Sequence, residues 1–234
     1  MKNSRKEEQR RIREARQQEA KRRKQIFSLA WKAALVVLVP LVVGVLLYGL
    51  GSNARLPAPS EITEGDHVRG SADARVTLTM YGDFQCPACM EEAEVIASAW
   101  RRIGDNVRLV FRHYPLDTHP HAFKAAQYAE AAARQGRFWE MYNQLYGNQA
   151  LWYSASDATL LFDGFAREIG LDLEQLKADA ASPEVRQKIQ ADQRGGTRAG
   201  VRSTPTLFIN GKLVPTPPRS ALELEALVTR ELRR

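Results

Sequence analysis

Two cysteines, Cys86 and Cys89, are all that the 234 residues contain, so a small disulfide-stapled scaffold is excluded. Histidine is scarce too, with His67, His113, His119 and His121 the whole supply. There is no second Cys-x-x-Cys, and the gap from Cys89 to His113 exceeds the roughly 12–15 residues of a Cys₂His₂ finger, so no metal site is expected. The body of the chain also has no charge of one sign to spare. Residues 1–25 hold eleven Lys/Arg and four Glu, which accounts for the whole net charge of +7, and everything after Gln25 balances to zero. A basic nucleic-acid-binding domain is therefore excluded, and no nucleic-acid partner is expected. No internal repeat is present. With 44% hydrophobic residues, the chain has ample material for a core.

One apolar run stands out. Ile26 to Leu50, "IFSLAWKAALVVLVPLVVGVLLYGL", carries Lys32 as its only charge. At about 1.5 Å per residue, a helix of that length crosses the roughly 30 Å hydrocarbon core with some tilt. Pro40 and Gly44 are tolerated in lipid. The sequence thus predicts a single transmembrane anchor over 26–50. Its flanks place the basic 1–25 tail in the cytoplasm, because only Arg55, Arg69 and Arg75 lie in the 25 residues that follow the span. The remainder is expected on the periplasmic or extracytoplasmic side of the cell membrane. A cleaved signal peptide is the alternative, with small residues at Ser52 to Ala54. The long charged leader and the length of the apolar run favour the anchor.

Residues 51–70 read as a linker, mixing Pro, Gly, Ser and charges without periodicity. An alternating run predicts a strand over Val76–Tyr81. "CPACMEEAEVIASAWRRIG" has helical spacing of apolar residues with Gly104 as a stop, and "VRLVFRHYP" predicts a second strand, which completes a βαβ unit. From about 116 to 201 the pattern is helical. "TPTLFINGKLV" then predicts a hairpin turned at Asn210-Gly211, and an amphipathic helix closes the chain.

The cysteine pair opens the first of these helices, directly after a strand. A bridge across a two-residue gap removes little chain entropy, so a structural staple is a poor reading. At a helix N-terminus, however, unpaired N–H groups and the helix dipole favour a thiolate, which is the nucleophile of thiol-disulfide exchange. Pro87 occupies the first helical position, where its missing N–H costs nothing. Cys86 is then expected to be exposed and to attack or be attacked, and Cys89, one turn on and shielded, to resolve the mixed disulfide.

"YGDFQCPAC", the helical insertion and "GVRSTPTLFINGK" together resemble the DsbA-like thiol-disulfide oxidoreductases of the thioredoxin superfamily, in their membrane-anchored bacterial form. The resemblance implies an α/β thioredoxin fold over 71–234, with no cofactor. It implies Cys86 and Cys89 as the catalytic pair, Pro87 and Ala88 as the active-site helix start, and a cis-proline loop at Thr204 and Pro205 that meets the substrate chain. Family members often carry a buried acid six residues before the first cysteine; here that position is Met80. Asp83 is the nearest acid, a candidate proton acceptor or a carboxylate in the cap region of the helix. Trp152 and Tyr153 are candidates for a substrate groove, whereas Phe138 and Tyr142 are assigned to helix packing. The implied function is donation of a disulfide to exported proteins with free thiols, with reoxidation by a membrane redox partner, either a quinone-linked oxidase or an electron carrier. A membrane-anchored thiol reductase is the alternative, and a chaperone-like subunit with idle cysteines the non-enzymatic one.

Overall fold

The computed structural model describes residues 61–234 without interruption, together with Pro59 and, upstream, Arg23, Trp31, Leu38, Val39 and Pro40. Apart from these few positions, the tail over 1–25 and the span over 26–50 lie outside the described residues. Among the described residues no helix is long and apolar enough to cross a membrane.

Five strands form one sheet. These are β1 (His67–Arg69), β2 (Val76–Gly82), β3 (Val107–His113), β4 (Thr206–Ile209) and β5 (Lys212–Leu213), in the order β1-β3-β2-β4-β5. The β2–β3 pair is parallel, with Val76 opposite Val107 and Gly82 opposite His113, and the other pairs are antiparallel. Helix α1 (Pro87–Ile103) supplies the crossover between the parallel strands. The insertion between β3 and β4 holds α2 (Ala122–Arg134), α3 (Phe138–Gly147), α4 (Gln149–Trp152), α5 (Thr159–Glu168), α6 (Leu173–Ala180) and α7 (Pro183–Arg198), and α8 (Ala221–Leu232) closes the chain.

All seven residues of β2 are buried, because the strand is central and both of its faces are covered. Val76, Leu78 and Met80 share one buried core with Ile96, Ala99 and Ile103 of α1 and with Leu224 and Val228 of α8. Each fully buried aliphatic side chain contributes about 1.5–3 kcal/mol. Tyr81 belongs instead to a separate cluster with Val201 and Phe208. The β4–β5 turn has positive φ at both Asn210 (47°) and Gly211 (76°), the twist a two-residue hairpin requires. The Asn210 Oδ1 accepts from the Thr77 N–H at 2.8 Å, which ties the turn to β2. Helix α8 starts at Ser220, whose hydroxyl accepts from the Glu223 N–H.

Part of the assigned linker belongs to the sheet. His67–Arg69 forms β1 against β3, and Asp66 receives two parallel hydrogen bonds from the Arg112 guanidinium, Nε to Oδ1 and Nη2 to Oδ2, each at 2.8 Å. Both side chains of this pair are only 2% exposed. Burial raises the Asp66 carboxyl, and the Arg112 hydrogen bond more than offsets that, so it lies below its ordinary value. Three residues are too short a strand for periodicity to reveal, and a charge that pairs 46 positions away leaves no local signal.

Candidate active site

The end of β2 and the start of α1 place the two cysteines. Gly82, the last residue of β2, passes so close to Phe111 that a Cβ there would lie 2.5 Å from Cε2 of the ring. Cys86 is the N-cap of α1, with extended backbone (φ −74°, ψ 121°), and Pro87 follows at the first helical position. Both cysteines are free thiols. Cys89 is fully buried. Cys86, expected to be exposed, is only 8% exposed, while Pro87 and Ala88 between the two lie on the surface. The cover over Cys86 comes from a distant loop, where the Thr204–Pro205 bond is cis and the Thr204 carbonyl accepts from the Cys86 thiol at 3.4 Å.

The electrostatics of the two sulfurs differ sharply. The hydrogen bond from Cys89 is the largest influence on Cys86 and, with help from the Thr204 side chain and against the effect of burial, lowers its thiol to about 6. Burial is the largest influence on Cys89 and, with the neighbouring Cys86, pushes it well above the ordinary value. The helix N-terminus named by the sequence is therefore joined by a sulfur-to-sulfur hydrogen bond that only the folded geometry reveals. Of the two sulfurs, Cys86 is the one whose thiolate is favoured and Cys89 the one that keeps its proton.

Around the pair, polar groups are tightly engaged. Asp83 is buried; its Oδ1 accepts from the Gln85 N–H at 2.7 Å, and its Oδ2 accepts from the Leu116 N–H at 2.9 Å and lies 2.7 Å from His119 Nδ1. These bonds hold the approach to α1 against the segment after β3. Gln149 of α4 donates its amide to the carbonyls of Phe84 (2.7 Å) and Cys86 (3.1 Å), and Gln85 donates to the Tyr153 carbonyl at 2.8 Å. Neither glutamine carried a signal in the sequence, since each acts on backbone more than 60 residues away. Met80 points into the core and is fully buried. Trp152 is not a groove residue: it is fully buried, donates its indole N–H to the Leu145 carbonyl and packs on Phe162, whereas Tyr153 is 44% exposed. Phe138 and Tyr142 are buried in the helical packing.

Three groups that could ligate a metal converge away from the cysteines. The Nε2 atoms of His67 and His113 lie 2.7 and 2.8 Å from the same Glu130 oxygen. Burial raises the Glu130 carboxyl, but the hydrogen bonds from His113 and His67 outweigh it and hold the group far below its ordinary value. The two imidazoles meet one carboxylate oxygen through Nε2, while the buried His113 Nδ1 has no hydrogen-bond partner. This network joins β1, β3 and α2.

A further group was missed entirely. Glu92, on the core-facing side of α1, is 3% exposed, makes no hydrogen bond through Oε1, and lines a cleft of about 470 Å³ with Ala88, Glu91, Val95, Pro205 and Arg219. Its spacing from Cys89 was the available sign, since residues three apart on a helix share a side.

Comparison with known proteins agrees with this geometry. A family model described as thioredoxin matches residues 62–229. A thioredoxin-like oxidoreductase from Silicibacter pomeroyi is 28% identical with a TM-score of 0.63, and 74% of this chain and 95% of that one are covered. BdbD from Bacillus subtilis shares the fold, with a TM-score of 0.66 at 20% identity over 76% of this chain and 98% of that one. Among curated sequences, a segment of Na(+)/H(+) antiporter NhaA 1 from Mycolicibacterium gilvum is 40% identical over 169 residues. That match takes in 70% of this chain and 26% of the antiporter, so the chain spans about a quarter of the length of the curated relatives it matches.

Proposed function

Because the chain belongs to the thioredoxin family, as a DsbA-like thiol-disulfide oxidoreductase, we propose that it is an oxidase that passes the Cys86–Cys89 disulfide to exported proteins. The observation that carries this direction is the Cys86 thiol, lowered to about 6. A thiolate stabilised in the reduced form makes the disulfide a stronger oxidant. A substrate thiolate attacks Cys86 and forms a mixed disulfide while Cys89 leaves. A second substrate thiol then attacks the substrate sulfur, releasing oxidised substrate and the Cys86 thiolate. The Thr204 carbonyl beside Cys86, with exposed Pro87 and Ala88, is where an extended substrate chain would lie.

The 26–50 run anchors the enzyme in this proposal, with 1–25 cytoplasmic and the catalytic unit outside, so that a membrane redox partner removes the electrons. That relatives of this domain form part of proteins named as antiporters supports work at a membrane. The test is the reduction potential of the Cys86–Cys89 pair, measured on the full chain against glutathione. A value near or above about −150 mV supports the oxidase, and one near about −270 mV overturns it in favour of a reductase. Oxidative refolding of a reduced substrate should be abolished in Cys86→Ser, and unchanged refolding would rule out the enzyme altogether.

A further inference from the structure

Exchange at a buried sulfur leaves a proton to be accounted for. When the disulfide is opened at Cys86, the departing Cys89 sulfur is a thiolate at a fully buried site where the neutral thiol is strongly favoured, so it must take up a proton. Neither side chain on the approach to the motif is suited to supply it. Met80 has no acidic proton, and both Asp83 oxygens are already engaged by backbone N–H groups and His119.

Glu92 differs on each count. It lies three residues beyond Cys89 on α1, both side chains are buried, and Oε1 has no hydrogen-bond partner. A carboxyl placed so costs folding free energy that an apolar side chain would not. Burial alone pushes it up to about 8, so it carries its proton at neutral pH. At the same time it lines the cleft beside Pro205, which gives it a route to water. The charged and titratable groups around it are few. Glu91 of its own helix and Arg219 across the cleft line the same space. The Tyr142 hydroxyl of α3 is influenced electrostatically by both Cys89 and Glu92. On α8, Glu225 is turned to Arg102.

We infer that Glu92 is the proton reservoir for Cys89, giving its proton to the departing sulfur, taking it back when Cys89 attacks, and exchanging with water in the cleft. In the forward step, the substrate sulfur bonds to Cys86 Sγ, the Cys86–Cys89 bond breaks with its electron pair on Cys89, and the Glu92 proton neutralises that sulfur. Cleft water then reprotonates the carboxylate. In resolution, the Glu92 carboxylate accepts the Cys89 proton as the thiol attacks the mixed disulfide and expels the substrate thiolate. The inference rests on the exchange proposed above for Cys86 and Cys89.

The experiment uses the full chain with glutathione linked to Cys86, and follows glutathione release by Cys89 from pH 5 to 10 in the native protein, Glu92→Gln and Glu92→Asp. The native rate should rise with an inflection near 8. Glu92→Gln should be slower at pH 7 by about tenfold or more, the lower end of a general acid–base contribution, and lose that inflection, and Glu92→Asp should regain part of both. A purely structural role would change thermal stability and leave the pH profile alone, so an unchanged profile in Glu92→Gln overturns the inference. Alkylation of Cys86 on the same samples separates the two proposals. If the native chain shows no low inflection and forms no mixed disulfide, the proposed exchange falls and this inference with it. If it does both while the Glu92→Gln profile matches the native one, only the role of Glu92 falls.

Discussion

Lowering the pH isolates the free energy held in the Cys86 thiolate. In the fold this thiol ionises at about 6, against 9.0 for an ordinary one. The depressed value follows the carboxylate sign: the stabilisation of the reduced protein is complete above the unfolded value and is lost as pH falls through the folded one. Three units correspond to about 4 kcal/mol in full. At pH 8 about 2.7 kcal/mol of this is in force, at pH 7 about 1.4, and at pH 5 almost none. The oxidised protein has no thiol, so the effect appears in the difference between redox forms, and Glu92, present in both, cancels to first order. At pH 7 the same 1.4 kcal/mol makes the pair roughly 30 mV more oxidising. Parallel denaturant unfolding of reduced and oxidised protein between pH 5 and 8 measures it, and the reduced form should gain about 2.7 kcal/mol relative to the oxidised over that range. Iodoacetamide alkylation of Cys86 should inflect near 6. Cys89→Ala removes the largest cause and should move that inflection upward by about one unit or more. Identical pH dependence in the two redox forms, or a native inflection near 9, would refute the reasoning.

Arg112→Met leaves the Asp66 carboxylate buried without its guanidinium and should lower unfolding free energy by about 3–5 kcal/mol in urea titrations. Gly82→Ala sets a Cβ 2.5 Å from Phe111 Cε2 and 3.0 Å from the Tyr146 hydroxyl, and should cost about 1–3 kcal/mol, read as a lower denaturation midpoint with unchanged slope. Trp152→Ala should cost about 3–5 kcal/mol, since the indole is fully buried and hydrogen-bonded. Tyr153→Ala, at an exposed side chain, should stay within about 0.5 kcal/mol in the same urea titrations that read Trp152→Ala.

Most of what lies along one element was legible. The β2–α1–β3 unit, the Asn210-Gly211 turn and the closing helix follow from periodicity and turn chemistry, which act over a few residues. Legibility failed where partners are remote. Trp152 sits in a short helix that carries no periodicity, so nothing local told a groove residue from a core one. Strand β1 and the Asp66–Arg112 pair were hidden for the same reason.

By itself, then, the sequence determined that two thiols stand at a strand-to-helix junction, with Pro87 starting the helix, because that placement depends only on local backbone preference. Tertiary structure decided by what means, and how far, the thiols differ. Burial makes Cys89 hold its proton, a hydrogen bond across one helical turn lowers Cys86, and a loop 118 residues away covers its sulfur. It also left Glu92 buried and unpartnered beside the cleft, because solvation depends on what the whole chain folds around a group.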